Sequence, residues 1–123
     1  SGPGLIYPMA PKVEHYEFGR IIVDGEVYTR DIIIFPDRVQ SSWWREQGHY
    51  LQMCDIEHIL DERPEVLIIG TGAYGVMDVA KEVVDVCNKR GIELHIQITA
   101  EAVKTYNKIA ESKRTVAALH LTC

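Results

Sequence analysis

The fold is decided by residues 66–75, which read Val66-Leu67-Ile68-Ile69-Gly70-Thr71-Gly72-Ala73-Tyr74-Gly75. Four consecutive apolar residues that end in a glycine are typical of a strand covered on both faces, because neither face then meets water. A strand of that kind belongs to the parallel sheet of an α/β protein. We therefore expect such a sheet in the C-terminal half of the chain.

The residues after this stretch alternate between helical and extended patterns. Residues 80–87 place apolar side chains on one helical face, and Gly91 is expected to end that helix. Residues 92–98 are predicted to form a strand, Thr99 to cap a further helix, and residues 115–121 to form a last apolar strand. The expected inward residues are Ala80, Val83, Val84 and Cys87 in the first helix and Val103, Tyr106 and Ala110 in the second. Right-handed crossovers would place the strands in one sheet with the helices packed on it.

The N-terminal half is predicted to open with a β-meander. Asp24-Gly25 lies between the β-prone runs 20–23 and 26–29. This dipeptide is a preferred two-residue hairpin turn, because both positions need a positive φ. Residues 31–35 are expected to continue the meander as a buried strand.

A short helix is predicted between the meander and the glycine stretch, with Asp55 as its N-cap and Asp61 near its end. With the meander stacked on the sheet and helices, residues 12–123 are expected to form a single three-layer α/β domain. Residues 1–11 begin Ser-Gly-Pro-Gly, which is typical of a cloning remnant, and we expect them to be loosely ordered.

The charge and cysteine content exclude several classes of protein. The chain has 123 residues with 13 Lys and Arg against 18 Asp and Glu, a net charge of −5, so it lacks the cationic footprint of a nucleic-acid binder. Neither a membrane-spanning run nor a signal peptide is expected from its hydropathy pattern. Three widely spaced cysteines are an odd number, which favours reduced thiols and a cytoplasmic location.

The glycines of residues 70–75 fit the pattern G-x-G-x-x-G, which is one indication of a dinucleotide site. Such a site needs a helix that begins at the loop, whereas helical periodicity begins here only near Ala80. The acidic residue expected at the end of the next strand is also missing, because that strand ends Ile96-Gln97-Ile98-Thr99. We interpret the glycines as a tight backbone bend that holds no cofactor, although its N–H groups could still face a small anion or a partner's carboxylate.

Two Cys/His pairs are candidates for reactive or metal-binding groups. Cys54 and His58 stand four residues apart, and His120 and Cys123 form a second pair at the chain end. Thiolate–imidazole catalysis at the first pair, or half of a metal site, is conceivable. Neither pair has the Cys-x-x-Cys spacing of a zinc site, so we expect no metal and an inert Cys54.

Trp43-Trp44-Arg45-Glu46 is the most conspicuous aromatic cluster of the sequence. The tryptophans could close an edge of the core, or they could form a recognition surface, because Trp and Arg often dominate binding energy. Arg45 could instead pair with Glu46 or Asp37. The residues alone leave these alternatives open.

Several stretches together carry a resemblance to a known family. They are the run Arg20–Gly25, the corner Phe35-Pro36 before residues 44–49, the stretch 66–75 and the ending 120–123. In this order and spacing they resemble a small α/β domain family of unknown function. It is shared by archaeal and bacterial hypothetical proteins, an adipogenesis-associated vertebrate protein and the third assembly factor of mitochondrial respiratory complex I. The resemblance covers residues 12–123.

This resemblance implies a three-layer fold with a mixed central sheet, related to but distinct from a Rossmann domain. It implies no established enzyme activity, and action through protein partners in the eukaryotic members. Asp78-Val79-Ala80 departs from the family's Lys-Val-Pro, which weakens any anion-binding role of the glycine loop. Residues Tyr50–Cys54 are more apolar than the family pattern, through lineage drift or an altered surface, and Met beside Tyr suits a protein contact.

We therefore expect a non-catalytic protein-interaction or assembly domain without cofactor or metal. Its predicted contact surface comprises Trp43, Trp44, Arg45, Tyr50, Met53, Gly70, Thr71, Gly72, Tyr74 and Gly75. The expected partner is a protein, a second copy of this chain included, rather than nucleic acid or a membrane. The alternative is a binding protein or enzyme that holds an anion or nucleotide in the crevice at Gly70–Gly75, with Arg45, Cys54 and His58 as candidate residues.

Overall fold

The structure is a computed structural model that describes residues 10–123. The strands are β1 (Val13–Glu17), β2 (Arg20–Val23), β3 (Glu26–Tyr28), β4 (Ile32–Ile34), β5 (Val39–Gln40), β6 (Tyr50–Leu51), β7 (Val66–Thr71), β8 (Asp78–Val79), β9 (Glu93–Gln97) and β10 (Thr115–His120). The helices are α1 (Met53–Leu60), α2 (Lys81–Lys89) and α3 (Thr99–Ile109). Within these residues no helix is both long and apolar enough to cross a membrane.

The central sheet has five strands in the order β5-β4-β10-β7-β9. β10, β7 and β9 run parallel, while β4 lies antiparallel against β10 and β5 antiparallel against β4. Every residue of β7 and of β10 is buried, as expected for strands covered on both faces. The predicted parallel unit of the C-terminal half is therefore confirmed, and the sheet as a whole is mixed.

Layers cover both faces of this sheet, and the alternation of side chains along the strands divides the core in two. On one face Leu67 and Ile69 pack in a core that includes Ile56 of α1 and Val83 of α2. On the other face the alternate residues of β7 pack in a core shared with α3 and with the small sheet β1-β2-β3. The predicted three-layer α/β architecture is confirmed.

The N-terminal hairpin has the predicted turn, because Asp24 and Gly25 both have positive φ, 48° and 80°. One part of the predicted meander is wrong: β4 does not continue it but joins the central sheet against β10. The three isoleucines of β4 are fully buried and divide between the two cores. Such a strand needs two covered faces, which the central sheet provides.

Two predicted helix caps are wrong. Helix α1 begins at Met53 with Gln52 as N-cap, and Asp55 is the third residue of a capping box whose Oδ2 accepts the Gln52 N–H at 2.8 Å. Helix α3 begins at Thr99 itself after the N-cap Ile98. The Thr99 hydroxyl donates instead to the His120 carbonyl at 2.6 Å. Asp55 thus still makes a local bond, but from the third helical position rather than from the cap, whereas Thr99 bonds to a distant strand.

The predicted loose segment 1–11 lies mostly outside the described residues. Pro11, which is described, is buried, and its carbonyl accepts the Tyr106 hydroxyl at 2.6 Å. Strands β5, β6 and β8 were not predicted. β6 and β8 pair in parallel, with Tyr50 opposite Asp78 and Leu51 opposite Val79. This short pairing brings the segment before α1 beside the segment that follows the glycine loop.

Candidate functional site

The glycine loop lies at the carboxyl ends of β7 and β10, where the chain's last residues fold over it. Ala73 N–H donates to the Thr122 carbonyl at 2.6 Å, and Val76 N–H donates to the Cys123 carbonyl at 3.0 Å. A Cβ at Gly72, where φ is +105°, would meet the Cys123 backbone at 2.5 Å. Gly72 therefore lets the loop approach the chain's own C-terminal segment.

Other N–H groups in and beside this loop are engaged as well. Gly72 N–H donates to Thr99 Oγ1 at 2.9 Å, and Met77 N–H donates to the Thr71 carbonyl at 3.1 Å. A phosphate held in the Rossmann manner needs such N–H groups free to point at it. Because they are bonded within the chain, the geometry does not favour the anion or nucleotide hypothesis at this loop.

A buried polar cluster, here called the Asp31 cluster, consists of Asp31, Arg45 and His120. Arg45 Nη2 lies 2.8 Å from Asp31 Oδ2, and His120 Nδ1 lies 2.7 Å from the same oxygen. The side chains of Arg45 and His120 are only 4% and 6% exposed. The other oxygen, Asp31 Oδ1, accepts the Leu121 N–H at 2.8 Å. The Asp31 carboxylate, just before β4, thus bonds both to Arg45 and to the end of β10.

The alternative in which Arg45 pairs with Glu46 or Asp37 is not found. Asp37 pairs with Arg38 on the surface, and the Glu46 carboxylate lies 3.6 Å from the Cys54 sulfur. The Arg45 guanidinium also donates to the Gly48 carbonyl at 2.8 Å and lies 4.7 Å from the Trp43 ring centre. The fold buries Arg45 beside Asp31, a partner that adjacent sequence could not indicate.

The pKa of Asp31 is lowered. Burial alone would raise it, but hydrogen bonds from His120 and the Leu121 N–H, together with the Arg45 guanidinium, favour the ionised carboxylate. A lowered pKa in the folded state means that ionised Asp31 stabilises the fold at neutral pH.

We expect the free energy of unfolding to fall in acid because of Asp31. Its contribution is fully present above the ordinary aspartate pKa of about 4 and is lost as the pH falls from there through the lowered pKa of the folded protein. Urea unfolding at a series of pH values measures this slope. In Asp31→Asn the free energy of unfolding should fall less steeply with decreasing pH, because the variant lacks this carboxylate. An unchanged slope would contradict the assignment.

The Asp31–His120 pair resembles the orienting half of a general base, but its geometry does not expose a reactive atom. With the proton on Nδ1 facing Asp31, the other ring nitrogen, Nε2, would be the base. That nitrogen is shielded from solvent and has no hydrogen-bond partner. The ring packs edge-on against His49, with 5.6 Å between centres. We assign the pair to holding the fold together.

The possible reactive pair of Cys54 and His58 is not brought together by a hydrogen bond. Cys54 is exposed on α1, and no hydrogen bond joins it to His58, whose Nε2 lies 3.2 Å from Gln40 Oε1. Desolvation and the negative charges of Asp55 and Glu46 raise the pKa of the Cys54 thiol, the reverse of what an activated nucleophile needs. Among residues 10–123 no group of three His, Cys, Asp or Glu is placed to hold a metal ion.

The aromatic residues of the predicted surface separate in the structure. Trp43 is buried in the core at 4% exposed, whereas its neighbour Trp44 is 74% exposed and Tyr74 is 75% exposed. Tyr50 is 39% exposed, and Met53 packs against the core at the start of α1. Of the predicted residues, Trp44, Tyr50 and Tyr74 present large side chains to solvent.

The exposed residues Phe18, Trp44, Tyr74 and Val76 surround the C-terminal segment 121–123, and we call this surface the end face. The Phe18 and Tyr74 rings lie 6.0 Å apart, and Val76 is bonded to Cys123. Trp44 and Thr122 line the same cleft. The sequence did not indicate Phe18 or Asp31 as site residues. It suggested His120 only as one half of a Cys/His pair with Cys123. No local pattern marks any of them, because each acquires its neighbours through the fold.

These features define a mixed, three-layer α/β domain whose glycine loop is closed by its own C-terminal segment. A conserved hypothetical protein of Pyrococcus horikoshii has the same fold, with a TM-score of 0.79 and 29% identity over 91% of this chain and 99% of that one. The chain belongs to the family described as "Protein of unknown function (DUF498/DUF598)", which matches residues 13–121. The family resemblance found in the sequence is confirmed.

Two curated relatives carry the name NADH dehydrogenase [ubiquinone] 1 alpha subcomplex assembly factor 3. The protein of Danio rerio is 38% identical over 118 residues, which are 96% of this chain and 64% of the relative. That of Xenopus tropicalis is 26% identical over 110 residues, 86% of this chain and 58% of the relative. The chain therefore spans about three fifths of the length of these relatives.

Proposed function

We propose that this chain is a non-catalytic protein-binding domain that acts in the assembly of a protein complex through its end face. The observation that carries the proposal is that Trp44 and Tyr74, each about three quarters exposed, flank one C-terminal segment. Aromatic residues combine a large apolar area with few rotatable bonds, and they dominate the binding energy of many interfaces. The names of the two curated relatives support an assembly role.

The end face is held rigidly from beneath, which suits a docking surface. Leu121 donates its N–H to Asp31, and its carbonyl accepts both the Tyr16 hydroxyl at 2.8 Å and the Gly19 N–H at 2.9 Å. These bonds fix the segment between Trp44 and Tyr74. A preorganised surface loses less conformational entropy when a partner binds, so more of the contact energy appears as affinity.

Site-specific photocrosslinking in the source cells tests the proposal. A photoreactive phenylalanine analogue at position 44 or 74 should capture the same protein. The same analogue at position 81 should not, since Lys81 is 91% exposed but lies outside the end face. A product of twice the chain's mass would identify a second copy as the partner. Equal capture from position 81, or none from 44 and 74, would refute the proposal.

With the captured partner purified, Trp44→Ala is expected to weaken binding at least tenfold, and Tyr74→Ala by a similar factor. Truncating a central interface aromatic costs about 2 kcal/mol or more, and about 1.4 kcal/mol corresponds to tenfold in Kd. Isothermal titration calorimetry measures the affinity. Lys81→Ala is the control and should bind as the parent chain does. Unchanged affinity in both aromatic variants would exclude the end face as the interface.

A further inference from the structure

A cleft of about 230 Å³ opens beside the Asp31 cluster, between the end of β3 and the C-terminal segment. It is lined by Thr29, Arg30, Asp31, Ser42, Trp43, Trp44, Arg45, Gly48 and Thr122. Its volume is below the roughly 300–1,000 Å³ of pockets that hold drug-sized molecules. The cleft therefore suits a small ligand or one compact group of a larger molecule.

Two buried donor groups of the lining residues have no acceptor. The Trp43 indole Nε1 and the Arg45 Nη1 are shielded from solvent and make no hydrogen bond. Both side chains are about 4% exposed, and the other nitrogens of Arg45 are bonded to Asp31 and Gly48. An indole or guanidinium nitrogen can donate but not accept. A group with several acceptor atoms could satisfy both.

The charges around the cleft point to an anion. Its lining has two arginines against one aspartate, in a chain whose net charge is −5. Asp31 and Arg45 compensate each other, because Asp31 Oδ2 lies 2.8 Å from Arg45 Nη2, so the excess positive charge of the lining comes from Arg30. Arg30 is exposed and lies 5.4 Å from the Trp44 ring centre, so its charge remains available to a ligand.

We propose that this cleft binds a small oxyanion group, a phosphate or a carboxylate. Arg45 Nη1 and the Trp43 indole N–H are shielded from solvent in this structure, so the cleft wall would have to move for them to donate to its oxygens. Arg30 would supply the opposing charge. The planar fork of a guanidinium matches the oxygens of phosphates and carboxylates. This site is separate from the glycine loop but shares Trp44 and Thr122 with the end face. Its test involves no partner protein, so it does not depend on the proposed protein-binding role.

The indole N–H signal of Trp43 in a nitrogen-15-labelled sample reports on the site directly. The purified chain is titrated with sodium phosphate and, separately, with sodium acetate, while sodium chloride holds the ionic strength constant. Trp44→Phe identifies which of the two indole signals belongs to Trp43. We expect the Trp43 signal to shift until it saturates. The anion with the lower dissociation constant is the preferred oxyanion. No saturable movement with either salt would overturn the proposal.

A matched pair of arginine variants tests the role of charge without disturbing the core. Arg30→Gln should weaken the titrated affinity by about two- to fivefold, the effect expected for removing an exposed charge. Arg38→Gln should leave it unchanged, because Arg38 is also exposed and also lies over a ring, 4.1 Å from the centre of Phe35, but outside the cleft. Equal affinities in both variants would refute the site. Neither result bears on the end face, since no partner protein is present.

Discussion

Asp31→Ala is expected to lower the free energy of unfolding by about 3–5 kcal/mol, because it leaves the buried Arg45 guanidinium without its counter-charge. It also removes the acceptor of the Leu121 N–H and the partner of His120. Removing one member of a buried ion pair costs more than the pair contributes, since the remaining charge stays desolvated. Urea unfolding followed by tryptophan fluorescence measures the change.

Asp37→Ala is the matched control, because Asp37 forms an ion pair with Arg38 on the exposed surface. Its expected cost is at most about 1 kcal/mol. A double variant, Asp31→Leu with Arg45→Met, removes both buried charges and should be less destabilised than Asp31→Ala alone. If Asp31→Ala and Asp37→Ala had equal effects, the Asp31 cluster would not hold the fold together.

Gly72→Ala is expected to cost about 2–5 kcal/mol, the sum of a strained positive φ and an overpacked contact. The added Cβ would lie 2.5 Å from the Cys123 backbone, and φ is +105°. Because that contact is with backbone, no side chain can rotate away, and either the loop or the C-terminal segment must move. Thermal or urea unfolding measures the loss, and the amide signals of residues 121–123 should shift.

Gly91→Ala separates the two causes. Gly91 has a φ of +69°, but a Cβ there would meet nothing within 4 Å, so only the backbone strain of about 1–2 kcal/mol remains. Gly72→Ala should therefore be the more destabilised of the two. Equal losses would mean that the close approach of Cys123 to Gly72 does not matter energetically.

The glycine loop shows how far a sequence motif can be interpreted without the fold. The distance from Gly70–Gly75 to the first helical residue, and the absence of an acidic residue after the next strand, indicated a backbone bend rather than a dinucleotide site. What lies against the bend could not be predicted. The C-terminal segment occupies it through bonds from Ala73 and Val76, 47 or more residues away in sequence.

The sequence alone determined the elements whose signals are local. The apolar run of β7, the Asp24-Gly25 turn and the helical face with Val83 and Cys87 were predictable, because periodicity and turn chemistry act over a few neighbouring residues. Their order also determined the parallel part of the sheet, since short connections leave few topologies.

The polar partnerships follow from the folded chain as a whole and could not be predicted. Asp31 and His120 are 89 residues apart, and Arg45 and His120 are 75 apart, so no spacing in the sequence marks them. The sequence also could not indicate that Trp43 is buried and Trp44 exposed, because the two neighbours are the same residue type. Burial and charge pairing depend on which strands become neighbours, and that is settled by packing of the whole domain rather than by any local pattern.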